Sequence, residues 1–119
     1  MTDQATAACT KVPRAEQIAR LNDLLRKTGT GGTVVITQGV RRITGFDAEA
    51  LAEALANYDG FDADNDPHGE RDFGDLTLFG YNLLFKIDYF DPRMEFGSDD
   101  PADAKATCRV LTVLLASEW

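Results

Sequence analysis

The chain has 119 residues, of which 44% are hydrophobic, with twenty acidic and twelve basic side chains and a formal net charge of −8. That length suits one domain with its own core; no apolar run reaches the roughly 20 residues that cross a bilayer. Met1 to Ala8 lacks the basic-then-apolar order of a leader, so a cytoplasmic protein with no membrane role is expected.

Residues 1–12 show no periodicity and predict a flexible N-terminus ahead of a single α+β domain over residues 13–119. Pro13 opens a helix in which Ile18, Leu21, Leu24 and Leu25 form the buried stripe, with Arg14, Arg20, Arg26 and Lys27 largely off it. Thr28-Gly29-Thr30-Gly31-Gly32 ends that helix, because glycine takes the left-handed cap without steric cost. Thr33 to Gln38 alternates and is β-branched, which predicts a strand. Asp47 is an N-cap, Phe46 and Leu51 stand at the staple positions, and the second helix runs to about Asn57 on Ala48, Leu51, Ala52 and Leu55.

Leu76 and Leu78, then Leu83, Phe85, Ile87 and Tyr89, predict two strands joined near Gly80-Tyr81, where glycine suits a type II′ hairpin. Asp100-Pro101-Ala102-Asp103 reads as a helix start, and Val110 to Leu115 as the most enclosed helix. The predicted order is α-β-α-β-β-α, a small antiparallel or mixed sheet of about three strands packed against helices. Cys9 and Cys108 share no close spacing and are expected to be two reduced thiols, Cys9 in the flexible start and Cys108 in the last helix.

Charge is distributed unevenly along this order. Sixteen of the twenty acidic residues lie between Asp47 and Asp103, against Arg71, Lys86 and Arg93, a net of −13 for that stretch. Such a surface repels bare phosphate and attracts cationic partners, so direct nucleic-acid binding is not expected. The loop from Asp59 to Gly74 is too long and too acidic for a plain connector. Counting from Asp64, residues Asp64, Asp66, His68 and Asp72 fall near calcium-loop spacing with Gly69 at the turn, although His68 replaces an oxygen ligand. The same four residues offer an alternative transition-metal or metal-dependent enzyme site. The plainer reading has the aspartates cap turns, Arg71 neutralise its neighbours, and Phe61 and Phe73 pin the loop to the core.

Other chemistries find little footing. The glycine run follows a helix and precedes a strand, the reverse of a phosphate loop. No G-x-S-x-G occurs, and Ser98 and Ser117 are the only serines. No catalytic residue or resident cofactor is assigned, and the sequence points to a non-enzymatic protein. A DNA-binding accessory role would need Arg20, Lys27, Arg41 and Arg42 on one face. Of Phe79, Tyr81, Phe85, Tyr89, Phe90 and Phe96 most are expected in the core, and those left outside, framed by Asp88, Asp91, Glu95, Asp99 and Asp100, suit contact with a basic protein or leave the carboxylates as solubilising charge.

The segments Leu21-Asn22-Asp23, Thr28 to Gly32, Tyr58-Asp59, Asp64 to Glu70, Asp72-Phe73-Gly74, Phe85 to Tyr89 and Arg109 to Ala116 resemble a bacterial family catalogued as a domain of unknown function. The resemblance runs from about Glu16 to the C-terminus and implies an accessory role on plasmids and integrative elements. Maintenance, transfer or evasion of host defence would be such roles. That family often has histidine where Arg71 stands here, so paired-histidine chemistry is not implied. The resulting expectation is an acidic binding protein, of the anti-CRISPR or restriction-inhibitor kind, that imitates nucleic-acid charge. Asp62, Asp64, Asp66, Glu70, Asp72, Asp88, Asp91, Asp99 and Asp100 would contact its basic protein partner.

Overall fold

A computed structural model describes residues 12–119. The expected flexible start, apart from Val12, and the reading of Cys9 lie outside them. Helix α1, Arg14–Thr28, has Glu16 in its first turn and Arg26 and Lys27 in its last, which matches the helix dipole. Gly29 takes φ 76° and donates its N–H to the Leu25 carbonyl at 2.8 Å, the left-handed cap expected of it. Its buried face differs from the predicted stripe. Ile18, Ala19, Asn22, Leu25 and Arg26 are inside, while Leu24 is exposed. Two polar side chains replace leucines there because each finds hydrogen-bond partners below the helix.

Strand β1, Thr33–Ile36, stops two residues short of the predicted end. Thr37 caps a short helix α2, Gln38–Arg41, that buries Val40. Helix α3, Ala48–Ala56, starts where Asp47 accepts from the N–H groups of Glu49 and Ala50, and inserts Leu51 and Leu55 into the core. Strands β2, Phe73–Leu78, and β3, Tyr81–Phe90, pair antiparallel as predicted. Phe79 and Gly80 form their turn with φ 57° and 82°, both left-handed, so the turn is type I′ rather than II′.

The predicted last helix is instead strand β4, Cys108–Leu115, and the sheet has four strands rather than about three. Asp103 caps only a single 3-10 turn, Ala104–Ala106. Sheet order is β1-β4-β3-β2, with β1 parallel to β4 and the other pairs antiparallel. The fold is α+β with a mixed sheet. A central strand covered on both edges reads as a continuous apolar run, which periodicity cannot separate from a buried helix. Leu83, Phe85 and Ile87 of β3 and Leu111 and Val113 of β4 point to one face, where Leu25, Val40, Leu51 and Leu55 complete one core. No helix among the described residues is long and apolar enough to cross a membrane.

Candidate functional site

The acidic loop between α3 and β2 is anchored at its base by stacked aromatics. Tyr58, Phe61 and Phe85 meet edge to face with centroids 4.8 to 6.1 Å apart, and the Arg26 guanidinium lies 5.3 Å over the Phe61 ring. Gly74 makes room for them: a Cβ there would sit 2.6 Å from both Tyr58 and Phe85. Phe61 thus pins the loop as predicted, whereas Phe73 packs on Trp119 instead.

Above that base the loop closes on itself. Asp62 accepts from the N–H groups of Asp64 and Asn65 at 2.9 and 3.0 Å, and Asn65 returns its side-chain oxygen to the Asp62 N–H at 3.0 Å. Asn65 also donates to the Gly60 carbonyl at 2.8 Å. Asp66 accepts from the Arg71 N–H at 2.9 Å, which holds Arg71 at φ 54°. These bonds close the loop through backbone N–H donors, which solvate a carboxylate without supplying a counter-charge.

Arg71 does not neutralise the loop, contrary to the expectation from sequence. Its guanidinium turns to α1, contacting Asp23 at 2.8 to 3.1 Å and Glu16 at 3.1 and 3.3 Å. Donating to Asp23 and then to Glu16 holds the Arg71 pKa above its usual value. Among the described residues, Asp59, Asp62, Asp64, Asp66, Glu70 and Asp72 have no basic side chain within ion-pairing distance. Glu70 accepts instead from the Tyr89 hydroxyl at 2.9 Å. Burial, with Glu70 and Asp66 nearby, raises the Asp72 carboxyl.

The remaining predicted contacts differ in kind. Asp88 is paired with Lys86 at 2.7 Å and Asp100 with Arg14 at 3.2 Å, Asp91 caps the Glu95 N–H, and Asp99 is exposed. The nine carboxylates are therefore two groups, an unpaired loop set and a set near the end of β3 that is partly neutralised. For metal binding, no three His, Cys, Asp or Glu side chains among the described residues cluster at ligand spacing. Asp64, Asp66, His68 and Asp72 are not brought together. Of the cations considered for DNA contact, Arg20 is tied to Glu16 and Arg41 to the Ile36 carbonyl.

One polar constellation escaped sequence reasoning. Arg109, 2% exposed on β4, donates to Asn22 of α1 at 2.8 Å and to the Pro101 carbonyl, and lies 5.2 Å from the Tyr89 ring centre. Asn22 in turn donates to the Tyr89 hydroxyl at 2.8 Å and the Glu70 carbonyl at 3.0 Å. Burial lowers the Arg109 pKa and raises that of Tyr89. A charged residue inside an apolar run was the available signal, and it carries the loop's orientation: Glu70 is positioned from beneath by α1, β3 and β4.

The family model described as "Protein of unknown function (DUF3768)" matches residues 36–118, taking in the acidic loop and strands β2 to β4 and leaving out α1. No curated protein and no solved structure matches the chain.

Proposed function

We propose that this chain, which belongs to the family described as Protein of unknown function (DUF3768), is a small non-enzymatic binding protein whose fixed acidic loop docks on a basic protein surface. The observation that carries this reading is the turn of Arg71 toward Asp23 and Glu16, which leaves Asp59, Asp62, Asp64 and Asp66 without a cation among the described residues while their turn stays closed. Anions held apart on a rigid frame attract a cationic surface at long range and lose little entropy on contact. Asp62, Asp64, Asp66, Glu70 and Asp72 form the primary contact, with Asp88, Asp91, Asp99 and Asp100 as a second, weaker group. A partner that itself binds nucleic acid fits this charge, such as a host defence nuclease met by a plasmid or integrative element. Metal ligation by Asp64, Asp66, His68 and Asp72 has no comparable support, since no three His, Cys, Asp or Glu side chains among the described residues cluster at ligand spacing.

The test is capture of partners from the native host by the wild-type protein beside a variant with Asp62, Asp64 and Asp66 changed to Asn. One protein retained by the wild type and lost by the variant, with affinity falling steeply as salt rises, is the expected result. Equal retention by both, or binding indifferent to salt, would overturn the charge-led reading.

A further inference from the structure

The free edge of the sheet borders an apolar groove. Leu25 of α1, Val34 and Ile36 of β1, and Ala48, Ala52 and Leu55 of α3 line a cavity of about 180 Å³ open to solvent. The groove exists because α3 presents alanine, not a larger residue, at its two positions beside β1. Cavities of roughly 150 Å³ accept a benzene ring, so one branched aliphatic side chain fits here.

Among the described residues, strand β1 pairs only with β4. Thr37 donates to the Val113 carbonyl at 3.0 Å, and in a parallel ladder successive residues turn their backbone groups to opposite sides. Val35 and Thr37 therefore face β4, while Val34 and Ile36 present theirs outward. Arg41 covers the Ile36 carbonyl at 3.2 Å. The N–H and C=O of Val34 and the N–H of Ile36 have no partner among the described residues. Edge strands are commonly guarded by charge, proline or a bulge; Thr33–Ile36 has no charge or proline, and Val34 and Val35 are 39% and 42% exposed.

We propose that β1 and this groove form a strand-addition site, where an extended segment of another protein pairs with β1 and drops one branched aliphatic side chain into the cavity. Lys27 lines the groove and Arg41 reaches the Ile36 carbonyl at the end of β1, so the segment carries carboxylates toward its ends. A second copy of this chain fits poorly, because uncharged β1 would meet uncharged β1 with Lys27 and Arg41 crowded at one seam. None of its lining residues belongs to the acidic loop.

Selection of a displayed library of random peptides on the full chain tests this. Enriched peptides should place a branched aliphatic residue between acidic ends and protect the Val34 and Ile36 amides from hydrogen exchange. Val34→Pro removes an outward N–H without touching the ladder, and Ala52→Phe fills the groove; each should weaken the selected peptides by about tenfold or more. Circular dichroism establishes that each variant is folded, and either one suffices if the other is not. The Asp62, Asp64, Asp66 to Asn variant should bind these peptides as the wild type does, which separates this site from the loop. No enrichment, or unchanged Kd in the folded variants, would overturn the proposal.

Discussion

Arg71 and Asp23 form a forked ion pair across 48 residues of sequence, with both Nε and Nη2 of the guanidinium on the carboxylate. Asp23 also accepts from Arg26 at 2.9 Å. The pair removes the acidic loop's only arginine from the loop's own field and fastens the segment before β2 to α1.

Replacement of Arg71 by Gln should cost about 1–2 kcal/mol of stability, since a forked pair at a half-buried site exceeds an ordinary surface bridge. Burial would raise the Asp23 carboxyl, but hydrogen bonds from Arg71 and Arg26 outweigh it and hold the pKa below 3.8. A depressed carboxylate stabilises the fold above its unfolded value and loses that contribution as pH falls through the folded one. Urea denaturation should accordingly show a gap between wild type and variant that persists down to about pH 4.5, where Glu16 begins to lose its share, and closes below about 3.8 as Asp23 follows. Equal stability at neutral pH would show that the pair contributes nothing.

Asp72 predicts the opposite sign. Its carboxyl is raised above 3.8 by burial and by Glu70 and Asp66, so the folded state holds its proton more tightly and ionisation at neutral pH works against folding. Asp72→Asn should stabilise the protein by about 0.5 kcal/mol at pH 7, after allowance for solvent screening. The gain should shrink as pH falls through the raised folded value and vanish below 3.8. Paired thermal melts at neutral and acid pH measure the difference, and a destabilised variant at pH 7 would refute the assignment.

Local signals were legible in the sequence where the physics is local. Asp47 capped α3, Gly29 closed α1, and alternation from Leu83 to Ile87 gave β3. β4 was misread because its outer face, Val110, Thr112 and Leu114, is apolar enough to hide the alternation of Arg109, Leu111 and Val113. The loop's acidity was visible, yet the destination of Arg71 was not, because it depends on α1 crossing beside the loop. Arg26 reads as lying off the buried stripe for the same reason: its partner comes from α3, just as those of Asn22 come from β3 and β4.

Gly74 is a point where one methyl group should matter. The ring edges of Tyr58 and Phe85 occupy the place of its missing Cβ, at 2.6 Å each, and both rings are held by Phe61. Gly74→Ala should therefore cost about 1–3 kcal/mol, as overpacking does in a full core. Hydrogen exchange in residues 58–66 should accelerate more than in β4, because the displaced rings anchor the acidic loop. A neutral substitution with unchanged loop exchange would mean that the stack is not what fixes the loop.

The buried Arg109 offers the sharpest test of how the loop is held. No carboxylate among the described residues lies within ion-pairing distance, so Asn22 and the Pro101 carbonyl solvate the cation in place of water. Asn22→Ala strips one acceptor from Arg109 and one donor each from Tyr89 and Glu70, and should cost about 2–4 kcal/mol. Arg109→Met removes the charge that needed solvation, so the loss on adding it to Asn22→Ala should be smaller than its loss alone. A double-mutant cycle by urea denaturation should give a coupling of about 1–3 kcal/mol. Additive losses would show that the two side chains are held independently, and that α1 does not position Glu70 through this network.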